Sequence, residues 1–179
     1  MARIGIVGAG WWTQGWHLPH LNRNEGAVIA GICDRQDQPR STLNPHLESL
    51  EDLSQRYGGV PCFRSVDDML KALPDLDGII VATDHQSHFE IGKRLLNEAM
   101  KRIPVPSSGD ENENENEKEH ENAETTPDKA KTTKPLHIFM EKPLTTNVHE
   151  ANELCHVSVR PWDSELWPVT VEALSLLSL

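Results

Sequence analysis

The 179 residues are enough for one domain with a substantial core and too few for two of ordinary size. Hydrophobic residues make up 37% and aromatics 5%, low values that point to an unfolded stretch diluting an ordinary globular domain. The formal net charge of -11 excludes nucleic acid or an anionic membrane as a bulk electrostatic partner. Residues 107–134 hold nine acidic and four basic side chains and so supply -5 of that charge, leaving -6 on a mildly acidic body.

Three cysteines, Cys33, Cys62 and Cys155, are scattered without CxxC spacing, and their odd number speaks against a disulfide framework and for a reducing compartment. The opening MARIGIVGAG lacks the charged, apolar and cleavage regions of a signal peptide. There is no apolar run of about 18 residues that would span a membrane. The expectation is a soluble chain of the cytoplasm.

Short apolar runs alternate with helix-period segments along the chain. Arg3–Val7 reads as a strand, followed by a glycine turn and a helical stretch to about Arg23, which Pro19 should kink or restart. Ala27–Cys33 is a second strand ending at Asp34, and a helix near Leu47–Tyr57 closes at Gly58-Gly59. Cys62–Arg64 is a short strand. Ser65 can cap a helix over Val66–Ala72, with Asp68 at the third position. Gly78–Ala82 is near-continuously apolar, the mark of a strand buried on both faces. An amphipathic helix over His88–Met100 and a strand over Leu136–Met140 follow. Asn147 and Glu150 form a capping pattern that opens a helix to about His156.

Strands alternating with helices predict βαβ units and an α/β fold with a parallel, doubly wound sheet. Residues 1–157 form that domain. Within it, 104–135 is an acidic, low-complexity insertion that cannot bury enough surface to fold, and 158–179 is a short atypical tail with Trp162 and Trp167. A solvated surface insertion is the simplest reading of 104–135, because loop closure costs grow slowly with length.

A dinucleotide-binding turn needs one glycine to turn sharply after a strand and a second to let backbone approach a pyrophosphate at a helix N-terminus. In Val7-Gly8-Ala9-Gly10-Trp11-Trp12-Thr13, Gly8 and Gly10 take these two places. Thr13 stands where the pattern wants a third small residue, and its hydroxyl could reach a phosphate oxygen. Asp34, 24 residues past Gly10 at the end of the second strand, can accept hydrogen bonds from an adenosine ribose. Arg35 beside it could meet a 2′-phosphate, so both NAD and NADP stay open.

Ala82-Thr83-Asp84-His85-Gln86-Ser87-His88 follows the fourth strand at its carboxyl end, where open sheets bind ligands. His85 and His88 lack a third ligand at suitable spacing, so no metal is expected. Glu141-Lys142-Pro143 follows the strand HIFM, and proline there ends the strand and fixes the chain direction. A lysine held at that edge can polarise a hydroxyl or carbonyl, or hold a substrate anion. As a bare tripeptide it would far more often be a surface turn.

Together these segments resemble the Gfo/Idh/MocA family of NAD(P)-dependent oxidoreductases. The resemblance runs through Ile4–Gly10, His17-Leu18-Pro19-His20-Leu21, Asp34, Asp77–Thr83 with His88, and Glu141-Lys142-Pro143-Leu144. It implies an N-terminal Rossmann domain and hydride transfer on sugars, inositols or related polyols. It implies Lys142 as the catalytic or substrate-orienting lysine, with Glu141 and Pro143 shaping the cofactor pocket and Thr83 and His88 near the nicotinamide half. The expected cofactor-binding set is Gly8, Gly10, Trp11, Trp12, Thr13, Asp34, Arg35, Thr83, Asp84, His88, Glu141 and Pro143.

Two local departures stand out. Thr13 replaces the third small residue, and Asp84-His85 replaces the family's proline-asparagine pair. The family's second domain, an α+β unit carrying the substrate pocket, has no counterpart here, and nothing in the last 23 residues reads as a returning strand. A truncated oxidoreductase is therefore expected, with a dinucleotide and a sugar or polyol as partners. A catalytically incomplete dinucleotide-binding module is the alternative. A Rossmann methyltransferase ranks last, because it gives Glu141-Lys142-Pro143 no role.

Overall fold

The computed structural model describes residues 1–102, 134–158 and 171–173. Most of the acidic insertion, and the tail apart from 171–173 and the last residue of its preceding helix, lie outside the described residues. Six parallel strands form one sheet: β1 (Ala2–Val7), β2 (Ala27–Cys33), β3 (Cys62–Phe63), β4 (Gly78–Val81), β5 (His137–Met140) and β6 (Val171–Ala173). Their order across the sheet is β3-β2-β1-β4-β5-β6. The helices are α1 (Leu18–Asn22), α2 (Leu50–Arg56), α3 (Val66–Ala72), α4 (His88–Lys101) and α5 (Val148–Ser158), and a π-helical turn over Thr13–His17 precedes α1.

Period-2 alternation sends successive strand residues to opposite faces, and two separate cores result. Ile6, Ile32 and Ile80 pack with Leu18 of α1 and Leu50 and Leu53 of α2. Their immediate neighbours Val7, Cys33, Ile79 and Val81 pack with Met69 of α3, Leu95, Leu96 and Ala99 of α4, and Leu154 of α5. The sheet is thus doubly wound, as expected. Each fully buried leucine or isoleucine contributes about 1.5–3 kcal/mol relative to an exposed one. In α4 the buried positions His88, Gly92, Leu95, Leu96 and Ala99 recur at helical spacing. Gly92 lets α4 lie close to its neighbours, since a Cβ there would stand 3.1 Å from Leu154 Cδ1 and 3.2 Å from Met140 Sδ.

The helix ends follow local chemistry. Ser65 caps α3 by accepting from the Asp68 N–H, as its spacing predicts. Ser49 and Asp52 form a full capping box on α2, so that helix starts at Leu50 rather than near Leu47. Asn147 Oδ1 accepts from the Glu150 N–H at 2.9 Å at the head of α5.

One expectation is corrected here. The last 23 residues do hold a returning strand, because Val171–Ala173 pairs parallel with Ile138–Met140 as β6. Three residues carry no readable period, whereas the open edge of β5 offers a ready row of backbone donors and acceptors.

Candidate dinucleotide-binding site

At the carboxyl ends of β1, β2, β4 and β5 lies an open cleft of about 890 Å³. Gly8, which follows β1, adopts φ +97°, a left-handed conformation that glycine enters at little cost. Its N–H donates to the Cys33 carbonyl at 2.8 Å, while the Ala82 N–H donates to the Val7 carbonyl at 2.8 Å. The turn is therefore wedged between the ends of β2 and β4. A Cβ on Gly8 would stand 2.5 Å from the Ala82 carbonyl oxygen, whereas one on Gly10 would meet nothing within 4 Å. Gly10 thus leaves open backbone facing the cleft, at the start of a helical turn whose first N–H groups have no intrahelical partners.

Asp34 holds this turn from the end of β2. Its Oδ2 accepts from the Ala9 N–H at 2.8 Å and its Oδ1 from the Gln36 N–H at 2.9 Å. Each carboxylate oxygen keeps a lone pair for a further donor. Arg35 reaches across the cleft to Asp84 at 3.4 Å, a loose and exposed pair of small energetic weight. Asp84 is held within its own turn by the N–H and hydroxyl of Ser87.

On the opposite side, Glu141 continues from β5, its N–H donating to the Val81 carbonyl at 2.9 Å. Glu141 Oε1 accepts from Trp12 Nε1–H at 2.8 Å and pairs with His17 Nε2 at 2.8 Å. Lys142 is exposed, lines the cleft, and makes no ion pair among the described residues. The Lys142–Pro143 peptide bond is cis.

Burial holds the His17 imidazole below its ordinary pKa of 6.5, outweighing the opposing effect of the Glu141 carboxylate. At neutral pH the ring is therefore uncharged, with its Nε2–H donating to Glu141. Just below pH 6.5 the unfolded chain binds a proton that the folded chain does not. Stability from this site is thus complete above about pH 6.5 and is lost as pH falls toward the lowered value. Melting curves from neutrality to about pH 5 are expected to fall more steeply in the parent than in His17→Gln, which cannot titrate. Equal slopes would exclude His17 as a source of the pH dependence.

Of the residues singled out in the sequence, the cleft brings together Gly8, Gly10, Trp11, Trp12, Asp34, Arg35, Thr83, Asp84, Glu141 and Lys142. Three others lie elsewhere. Thr13 is fully buried and its hydroxyl donates to the Gly8 carbonyl at 2.6 Å, so it fastens the turn and is not free for a phosphate. His88 is fully buried, with Nδ1 at 2.9 Å from the Pro143 carbonyl, and supports the Lys142 turn from beneath. Pro143 is outside the cleft lining and contributes that carbonyl.

The lining also includes Arg40, Ser41 and Arg64, which sequence reasoning missed. Arg40 and Ser41 belong to an irregular segment without readable period. Gln14 ties that segment to the glycine turn, donating to the Ala9 and Glu48 carbonyls at 2.9 and 3.0 Å and accepting from the Glu48 N–H. Among the described residues no cluster of three or more His, Cys, Asp or Glu could hold a metal ion. No described helix is long and apolar enough to cross a membrane.

A parallel sheet in this strand order, with a glycine turn after β1 and an acid at the end of β2, defines a Rossmann-type dinucleotide-binding domain. Residues 2–103, more than half of the chain, match the model of the Gfo/Idh/MocA family, described as an oxidoreductase family with an NAD-binding Rossmann fold. The chain belongs to that family.

No curated protein matches it. Among solved structures it is similar to the WlbA dehydrogenase from Bordetella pertussis in complex with NADH and UDP-GlcNAcA. That match has 20% identity and a TM-score of 0.55, over 87% of this chain and 34% of that one. A mutant of KijD10, a 3-ketoreductase from Actinomadura kijaniata in complex with TDP-benzene and NADP, matches at 18% identity and TM-score 0.56, over 88% and 35%. D-galactose-1-dehydrogenase from Rhizobium etli matches at 17% and 0.53, over 87% and 33%. The chain spans about a third of the length of these structures.

Proposed function

We propose that this chain binds NAD or NADP across the cleft and serves hydride transfer at an oxygen-bearing carbon of a sugar, inositol or related polyol. The observation that carries the reading is the convergence of three groups on one cleft: open backbone at Gly10, the Asp34 carboxylate, and the ammonium of Lys142. The residues fit a dinucleotide. Open space in front of Gly10 suits a pyrophosphate, and the free lone pairs of Asp34 suit ribose hydroxyls. Sugar chemistry draws support from the solved structures, two of which are a galactose dehydrogenase and a dehydrogenase complexed with a nucleotide sugar.

When bound, the nicotinamide supplies the hydride chemistry. The chain's own groups do the rest. The first-turn N–H groups beyond Gly10 hold phosphate charge at a positive helix end. Asp34 orients the adenosine half. Lys142 donates a hydrogen bond to the substrate oxygen and stabilises the negative charge that develops there. A module that binds the dinucleotide without turnover is the second reading. Dinucleotide reduction measured with a panel of aldoses and polyols separates the two.

Calorimetry is expected to show binding of NAD or NADP, and absence of heat with both overturns the cofactor reading. In the same assay Arg35→Ala is expected to weaken NADP by about tenfold, the loss of one charge-assisted hydrogen bond, and to change NAD much less. Equal effects would remove Arg35 as a reader of the 2′-phosphate.

A further inference from the structure

The π-helical turn over Thr13–His17 is a departure from regular helix with a visible product. Five steps of an α-helix rotate position 17 about 140° away from position 12, so the two side chains would diverge. In the widened turn the Leu18 N–H bonds to the Thr13 carbonyl, and Trp12 and His17 instead meet at one atom, Glu141 Oε1, each at 2.8 Å. Single π turns of this kind are frequent at functional sites.

The meeting point is well enclosed. The His17 and Glu141 side chains are 10% and 17% exposed. Trp12 stacks on Trp16 with ring centres 5.6 Å apart, and the His17 ring stands edge-on to Phe139 of β5 at 6.2 Å. The charged and titratable groups acting on His17 are Glu141 and His20. On the other side of the lysine, the Pro143 carbonyl pairs with Nδ1 of the buried His88. Lys142 therefore stands between two fixed points, one on a side chain and one on the main chain, while its own side chain is unpaired among the described residues and exposed to the cleft.

We propose that His17, with Trp12, is a positioning residue for Lys142: it ties the glycine-turn helix to the Lys142 turn, so that a dinucleotide held at the glycine turn sets how Lys142 stands in the cleft. The role rests on the cofactor reading above. Trp12 and His17 leave the segment that follows Gly10, and Glu141 is bonded to Lys142, so movement at one is transmitted to the other through two short hydrogen bonds to a carboxylate. Such bonds are about twice as strong as neutral ones, and within an enclosed site they resist slack.

The test is the acylation rate of Lys142 Nζ in the full chain, read by peptide mapping with and without saturating NADH or NADPH. Lys71 and Lys101, on α3 and α4, serve as internal references. In the parent, dinucleotide is expected to slow Lys142 acylation by about tenfold, a factor of the size one charge-assisted hydrogen bond supplies. In His17→Ala that protection is expected to fall to less than about twofold while calorimetry still registers binding. His17→Gln, whose amide N–H can replace Nε2–H, is expected to restore it.

Protection in His17→Ala equal to the parent's overturns the proposal, as does failure of His17→Gln to restore it. Absence of any dinucleotide heat in the parent overturns the cofactor reading itself, and the proposal with it. If His17→Ala does not fold, Trp12→Phe keeps an aromatic ring, smaller than the indole, and deletes the N–H. Protection there is expected to drop below the parent's, and undiminished protection is the overturning result.

Discussion

Gly8→Ala is expected to lower the melting temperature of the domain by roughly 10 °C, while Gly10→Ala leaves it almost unchanged and weakens dinucleotide binding instead. At Gly8 a methyl group meets main chain on the adjacent strand, 2.5 Å from the Ala82 oxygen and 2.7 Å from the Ala82 carbonyl carbon. Neither atom can swing aside as the end of a side chain would. The left-handed φ of +97° adds strain of about 1–3 kcal/mol for any residue with a Cβ, and overpacking adds a comparable amount. At a chain length of this order each kcal/mol moves the midpoint by roughly 2–4 °C. Gly10 has neither problem, and replacing a glycine of ordinary φ by alanine even gains a few tenths of a kcal/mol through the unfolded chain. Its Cβ would occupy the space where backbone meets a pyrophosphate, so calorimetry should register a loss of affinity of about tenfold or more. A Gly8→Ala chain that melts like the parent would contradict the wedge between β2 and β4. A Gly10→Ala chain that binds like the parent would remove the phosphates from this turn.

The two glycines were legible in the sequence together with their division of labour, one for the turn and one for open backbone, but the contact that enforces it was not. Both follow an apolar strand, and the approach of Ala82, 72 residues after Gly10, is what denies Gly8 a side chain while the space around Gly10 stays open. The strands and helices that carry the cleft were readable because burial imposes a period. Gly78–Val81 is apolar throughout because both its faces meet cores, and α3 is announced by Ser65 and Asp68. What escaped was contact between distant segments. Thr13 looks like a phosphate ligand until its hydroxyl is found on the Gly8 carbonyl. His88 looks like a cleft residue until α4 turns it beneath Pro143. Arg40, Ser41 and Arg64 reach the cleft from segments whose course depends on Gln14 bridging to Glu48 and Arg64 pairing with Asp37, and no periodicity records either link. His17 lies within a motif that the family resemblance includes, but its role needs the π turn, which rearranges which side chains share a face.

Asp34→Ala is expected to have two separable effects, because each oxygen of this carboxylate already serves the fold. The Ala9 N–H it accepts belongs to a fully buried residue, and without the carboxylate that donor is left unpaired at a cost of about 1–3 kcal/mol. The Gln36 N–H is near solvent and finds water instead. Asp34→Asn keeps one acceptor but turns an N–H₂ toward a second donor, so its stability should fall between that of the parent and that of Asp34→Ala. The binding effect follows from the lone pairs not used by the fold. Hydrogen bonds to a charged partner contribute about 1.5–3 kcal/mol, so dinucleotide affinity should drop roughly 10–100-fold in Asp34→Ala. Fragments assign that loss to one end of the ligand. AMP, which carries the adenosine ribose, should bind the variant more weakly than the parent, while nicotinamide mononucleotide should bind both alike. Weakening of both fragments to the same degree would mean that Asp34 acts only by holding the glycine turn through Ala9. Weakening of AMP alone would make Asp34 at once the fastening of the cradle and the acceptor for the ribose.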